Sequence, residues 1–215
     1  MHLIVIAKAP IPGRVKTRLC PPCSPEEAAS IAEAALADTL EAVRGVIDAR
    51  PVVALDGPAG AWLPPGTRVI PQRGRGLAAR IAAAFDDVGG PSLLIGMDTP
   101  HVDASRLARA CALLAQPGVD AVLGPALDGG WWALGLRRPD ARVFAGVPMS
   151  SDRTSHAQRG RLRARGMRVA DLVPMRDVDT PTDALAVAAS VPGSRFARAV
   201  AASPIATGST IVTIA

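Results

Sequence analysis

The chain has 215 residues, 49% hydrophobic but only 3% aromatic, with no tyrosine and a net charge of +5. That length allows one large or two small domains with a substantial core, and no run approaches the ~18 apolar residues of a membrane span. The basic balance, with a pI near 10.0, favours an anionic partner. Because the cations are not interleaved with aromatics, composition argues against a base-stacking nucleic-acid platform, and a phosphorylated small molecule fits better.

The first predicted element is a buried strand at Leu3–Ile6, short, apolar and rich in β-branched residues. It runs into a loop that carries Lys8, Arg14, Lys16 and Arg18 around Pro10, Pro12 and Gly13. Cations at the C-terminal end of a strand sit where open α/β sheets bind ligands. Gly13 allows the backbone to approach a ligand closely, and the prolines stiffen the approach. Ser24-Pro25-Glu26-Glu27 opens a helix to about Val43: an N-cap, a first-turn proline and two acids at the positive end of the dipole. Ile31, Ala35, Leu36 and Leu40 form its buried face.

Further strands are predicted at Pro51–Leu55 and Thr67–Ile70, then a helix over Gly76–Val88 with Leu77, Ile81 and Phe85 recurring every four residues. A strand at Ser92–Gly96 precedes a helix at Ala104–Ala115. Strands at Val119–Leu123 and Trp131–Leu136 follow, then a helix at Asp152–Arg165, a strand at Met167–Val173 and a final helix from about Thr182. Strands separated by helices, with a core of Ala, Val, Leu and Ile, imply one α/β domain over residues 1–201 around a mainly parallel sheet. Residues 202–215 read as a tail that is disordered or adds an edge strand. No signal peptide is evident, so a cytoplasmic location is expected.

Three further segments carry chemistry. In Leu93-Leu94-Ile95-Gly96-Met97-Asp98-Thr99-Pro100 an apolar strand ends in a lone acid. Asp98 therefore projects at the same sheet edge as the basic loop, where it can hold a divalent cation against phosphate oxygens. Capping of the next helix is its alternative role. Asp128-Gly129-Gly130 is a tight turn, and adjacent Trp131 and Trp132 point to opposite faces of a strand, one into the core and one toward a pocket. Asp177 and Asp179, two apart on an extended segment, face one side, and either can supply a second metal ligand. Thr180 or Thr182 can cap the following helix, with Asp183 in its first turn. Cys20-Pro21-Pro22-Cys23 has C-x-x-C spacing, yet no second pair or histidine cluster completes a zinc site. The cysteines read as small loop residues.

Together, A-K-A-P-I-P-G-R-V-K-T-R-L, G-M-D-T-P, L-G-P-A-L-D-G-G-W-W-A-L-G-L and D-V-D-T-P-T-D-A-L resemble a bacterial glycosyltransferase-like family. It is also called the radical-SAM/selenodomain-associated transferase, within the GT-A nucleotide-diphosphosugar transferase superfamily. The resemblance spans roughly residues 1–189. The first segment is also similar to phospholactate guanylyltransferase, and more distantly to molybdenum cofactor guanylyltransferase. The resemblance implies a Rossmann-like GT-A α/β/α sandwich that binds a nucleotide in its N-terminal half. It assigns Gly13, Arg14 and Lys16 to triphosphate, and Asp98 and Asp179 to Mg²⁺ or Mn²⁺. Three departures stand out. Trp131-Trp132 replaces a tyrosine pair, Arg75-Gly76-Leu77-Ala78 before Arg80 lacks the family's aspartate, and Pro148-Met149-Ser150-Ser151 replaces Pro-Trp-Ser-Thr.

The candidate set is then Lys8, Ala9, Pro12, Gly13, Arg14, Lys16, Arg18 and Arg80 for the nucleotide and its phosphates. Asp128, Gly129, Gly130 and Trp131 form the substrate pocket, Asp98 and Asp179 hold the metal, and Lys16 and Asp98 are catalytic. The expected reaction is metal-assisted nucleotidyl transfer from a nucleoside triphosphate to a small phosphorylated or hydroxylated acceptor, with pyrophosphate release. His2, His101 and His156 occur without evident partners, so no general base stands out. Glycosyl transfer from a nucleotide sugar is the alternative. It usually uses a D-x-D, and here Gly96 stands two before Asp98. A non-catalytic nucleotide-binding protein is the third reading, whereas no G-x-x-x-x-G-K-[ST] of a P-loop occurs.

Overall fold

The computed structural model describes residues 1–208. Seven strands, β1 (His2–Lys8), β2 (Arg50–Asp56), β3 (Arg68–Pro71), β4 (Ser92–Gly96), β5 (Ala121–Pro125), β6 (Trp131–Leu136) and β7 (Val169–Asp171), form one sheet. Seven helices accompany them: α1 (Pro25–Arg44), α2 (Leu77–Val88), α3 (Ala104–Ala115), α4 (Thr154–Ala164), α5 (Pro181–Ser190), α6 (Arg195–Ala201) and α7 (Pro204–Gly208). The strand order is β3-β2-β1-β4-β6-β5-β7. Every pairing is parallel except those of β6, which runs antiparallel to both β4 and β5. The five residues between β5 and β6 are too few for a crossover, so this connection has to be a hairpin.

Side chains alternate along the central strands and divide the core into two layers. Leu3, Val5, Leu93 and Ile95 pack against α1 and α3, through Leu36, Leu40, Leu107 and Leu114. On the other face, Ile4, Leu94 and Leu134 meet Ile81 and Phe85 of α2 and Leu162 of α4. Phe144 completes that layer, its ring stacked on Phe85 at a centroid separation of 6.0 Å. The result is an α/β/α sandwich around a mainly parallel sheet, the architecture that the GT-A resemblance implied.

The first helix begins as anticipated. Ser24 accepts from the Glu27 amide, while the Glu27 carboxylate accepts from the Ser24 amide at 2.7 Å, so two otherwise orphaned donors are satisfied. The helix ends at Arg44, with the Gly45 amide donating to the Glu41 carbonyl at 3.0 Å. The other side of α1 is covered too: Ile31 and Ala35 pack with Val187 of α5, Phe196 of α6 and Ile205 of α7. Two helices thus follow the one expected from Thr182. Asp38 of α1 accepts from the Phe196 amide at 2.8 Å and pairs with Arg195, pinning α6 in place. The opening of the anticipated tail is part of this third layer, since Ser203 and Ile205 are buried. The T-I-V-T-I stretch considered as an edge strand lies outside the described residues.

Leu77 departs from the periodic reading. It is 42% exposed rather than buried, because the start of α2 faces the open cleft. Ile81 and Phe85, further along, do enter the core.

Candidate active site

A cleft of about 890 Å³ runs along the C-terminal edge of β1 and β4, between the β1–α1 loop, the start of α2, the β5–β6 turn and the segment preceding α5. The four chemistry-bearing segments of the sequence all reach it. Lys8, Arg14, Lys16, Arg18, Arg80, Asp98, Asp128, Gly130, Trp131 and Asp179 line the cleft. Ala9, Pro12, Gly13 and Gly129 do not line it; they shape its walls. Ala9 is buried, its amide donating to the Asp56 carbonyl at 2.8 Å, whereas Pro12 and Gly13 turn the loop at the surface. Gly13 does so at φ +74°.

The basic loop folds back onto the acids. Lys16 adopts a left-handed backbone, φ 48°, unusual for a residue with a side chain, and its side chain is only 6% exposed. Its ammonium donates to the Asp98 carboxylate and to the Val178 carbonyl. Arg18 pairs with Asp179 at 2.8 Å. Backbone bonds fix these elements mutually: the Val178 amide donates to the Asp98 carbonyl at 2.9 Å, and Met175 bridges to Ala126 beyond β5. Asp98 is therefore not a helix cap. That role falls to Asp103, which accepts from the Arg106 amide. Thr180 caps α5 in a reciprocal pair with Asp183, and Thr182 does not.

The other end of the basic half is organised around α2. Arg80 pairs with Asp56 at 2.7 Å. Gln72 donates to the carbonyls of Ala7 and Ala54, bracing the ends of β1 and β2. No side chain caps α2, and Gly76 at its start leaves the amides of the first turn open at the cleft.

At the opposite end stands the β5–β6 turn. The Asp128 carboxylate accepts from the Gly130 amide at 2.8 Å, closing an Asx-type turn. Gly129 has φ +91°, and a Cβ there would overlap the Asp152 carbonyl. Its own carbonyl accepts from the Ser155 amide at 2.8 Å, so turn and α4 are tied together. Trp132 is fully buried, its indole nitrogen donating to the Val173 carbonyl at 3.1 Å and its ring lying over Gly124. Trp131 goes the other way, lining the cleft with a buried indole nitrogen that has no partner. Met149, Ser150, Ser151 and Asp152 complete this end, Ser150 with a left-handed backbone at φ 57°.

Asp177 is the site residue that spacing alone did not single out from its neighbour. Its Oδ1 is buried without a hydrogen-bond partner. Burial, reinforced by the nearby carboxylates of Asp98 and Asp128, pushes it up to about 8. The signal in the sequence was the alternation Asp177-Val178-Asp179, which turns both acids to the cleft and Val178 to the core. Among the described residues no three His, Cys, Asp or Glu side chains converge on one point. The all-oxygen donor set and the unpartnered Asp177 oxygen nonetheless suit a hard cation shared between a few carboxylates, phosphate and water. Among the described residues no histidine lines the cleft. Cys20 and Cys23 are free thiols, Cys23 packed against α1 and α6.

Comparison with solved structures supports this architecture. A candidate nucleotide-diphospho-sugar transferase from Desulfovibrio desulfuricans G20 superposes with a TM-score of 0.82 at 27% identity, covering 93% of this chain and 92% of that one. CMP:2-keto-3-deoxy-manno-octonic acid synthetase complexed with CTP gives 0.57 at 13% identity, over 86% and 95%. Rv0371c from Mycobacterium tuberculosis H37Rv, complexed with manganese, gives 0.55 at 21% identity, over 86% and 96%. The last two share the fold alone. No functionally curated protein matches the sequence. Residues 34–151, more than half of the chain, match the profile of DUF2064, described as an uncharacterized protein conserved in bacteria, and the chain belongs to that family.

Proposed function

We propose that the chain is a metal-dependent transferase acting on a nucleotide-activated substrate, and that it transfers a nucleotidyl group from a nucleoside triphosphate to a small acceptor. The observation that carries this reading is the meeting of Lys16 with Asp98 and of Arg18 with Asp179 across one sheet edge. Cations for a triphosphate and carboxylates for a metal are adjacent there. The CTP complex of one fold relative and the manganese complex of another support it.

In this reading Lys8, Arg14, Lys16 and Arg18 neutralise the β- and γ-phosphates, Lys16 exchanging the Asp98 carboxylate for phosphate oxygens. Gln72, Gly76 and exposed Leu77 border the nucleoside, with Arg80 beside it. A divalent cation, magnesium or manganese, would be held by Asp98 and Asp179 next to Asp177, and would neutralise the phosphate oxygens and polarise the α-phosphorus. Asp128, Gly130 and Trp131 position the acceptor. The acceptor oxygen bonds to the α-phosphorus as the bond to the bridging oxygen breaks and pyrophosphate leaves. Positioning and charge neutralisation supply the acceleration.

Glycosyl transfer from a nucleotide sugar is the second reading, favoured by the likeness to the D. desulfuricans protein. Gly96 at the place of a first D-x-D acid favours nucleotidyl transfer instead. Incubation with nucleoside triphosphates and nucleotide sugars, with and without Mg²⁺ or Mn²⁺, separates them: pyrophosphate release supports the first, nucleoside diphosphate release the second. Asp98→Asn is expected to lose the metal-dependent rise in melting temperature on nucleotide addition, and at least tenfold in turnover. An intact metal-dependent shift in that variant would overturn the site assignment.

A further inference from the structure

The charges that line the cleft are segregated. The cations all belong to the end of β1, the β1–α1 loop and α2: Lys8, Arg14, Lys16, Arg18 and Arg80. At the β5–β6 end the lining includes Asp128, Trp131, Met149, Ser150, Ser151 and Asp152, and among the described residues there is no lysine or arginine in it. Neither Asp128 nor Asp152 has an ion-pair partner among the described residues. Asp128 accepts only from the Gly130 amide, and Asp152 only from the Ser151 hydroxyl at 3.1 Å.

We infer that the acceptor is a hydroxyl compound without an anionic group, neutral or amine-bearing, rather than a phosphate ester or carboxylate; this rests on the transferase reading above. Three properties of that end lead to the same class. A dianionic phosphate brought beside two unpaired carboxylates would meet repulsion with no cation to offset it. Carboxylates and serine hydroxyls are acceptors for the O–H and N–H donors of polyols and amino alcohols, while Trp131 and Met149 offer an apolar face to their C–H surface or to an ammonium group. Finally, an alcohol must lose a proton as it attacks, which a phosphate acceptor does not. Asp128, with one oxygen in the turn and its side chain facing the cleft, is the group placed to take it. The new bond joins the acceptor oxygen to the α-phosphorus, pyrophosphate leaves, and the proton passes to the Asp128 carboxylate.

The test begins by establishing a nucleotide-saturated protein with Mg²⁺ by calorimetry; failure to bind any nucleotide refutes the transferase reading and not the charge argument. Matched probes are then titrated: glycerol against glycerol 3-phosphate, glucose against glucose 6-phosphate, and glucosamine against glucosamine 6-phosphate. Binding is read from the Trp131 indole N–H resonance, assigned with Trp131→Phe. The unphosphorylated member of at least one pair is expected to bind at least tenfold more tightly than its ester. The double variant Asp128→Asn, Asp152→Asn keeps the turn acceptor but removes both charges, and is expected to raise ester affinity several-fold relative to that of the unphosphorylated parents. Esters binding as tightly as their parents in the unaltered protein, no probe moving the resonance, or no gain in ester affinity in the double variant overturns the inference.

Discussion

Lys16 and Asp177 represent two ways of holding charge in one cleft. Lys16 is nearly enclosed, yet its ammonium is satisfied by the Asp98 carboxylate and the Val178 carbonyl. Asp177 is enclosed among other carboxylates and has no such partner, so its proton is retained up to about pH 8. The consequence for stability has a definite sign. The folded chain binds this proton more tightly than the unfolded chain, whose aspartates titrate near 3.9. Stability contributed by the protonated form is therefore complete below about pH 4 and is lost as pH rises towards about 8. Asp177→Asn keeps the shape and removes the titration. The metal-free variant is expected to melt several degrees above the unaltered protein at pH 8, with the difference shrinking as pH falls to 5. Thermal melts in chelator at both pH values check it, and equal melting temperatures at pH 8 would contradict it.

Among the elements, the β5–β6 hairpin has the most consequential geometry. Its turn sets where Asp128 and Trp131 stand, and the Gly129 carbonyl anchors the first turn of α4. Gly129 is required twice over, for its φ of +91° and for its closeness to Asp152. A side chain at that φ costs on the order of 1–3 kcal/mol before any overlap is counted. Gly129→Ala is thus expected to lower stability by at least ~2 kcal/mol, measured by urea unfolding. It should also displace the Asp152 loop, weakening acceptor binding more than nucleotide binding. A change below about 0.5 kcal/mol, the usual range for neutral surface substitutions, would show that the turn tolerates a Cβ.

At the scale of the whole molecule the sheet has two kinds of half. The parallel half β3-β2-β1-β4 delivers the cations and Asp98, whereas the half containing antiparallel β6 delivers the turn and the uncompensated acids. A third layer, α5 to α7, closes over α1 and carries the Asp177–Asp179 segment at its entrance. Its C-terminal part is integral to the fold, because Ile205 is 2% exposed and packs with Phe196 and Val200. Ile205→Ala is expected to cost about 2–5 kcal/mol through lost burial and a residual cavity, read by denaturant or thermal unfolding. An unchanged melting temperature would return these residues to the status of an appendage.

The sequence by itself determined the parts whose causes are local. Alternation and helical periodicity located all seven strands and five of the helices, and Ser24, Glu27 and Pro25 mark the start of α1 through bonds made within one turn. Asp128-Gly129-Gly130 announced its turn because glycine and aspartate favour such backbone conformations locally. The division of labour between Trp131 and Trp132 followed from strand pleating. What tertiary structure decided was every relation between distant segments. Lys16 and Asp98 are 82 residues apart, and their pairing depends on β1 and β4 being neighbours in the sheet. The exposure of Leu77, the antiparallel insertion of β6, the burial of Ile205 and the isolation of Asp177 among other acids are likewise products of packing. No residue type encodes its own desolvation or the charge of a neighbour remote in sequence, so the acidic end of the cleft emerges only once the chain has folded.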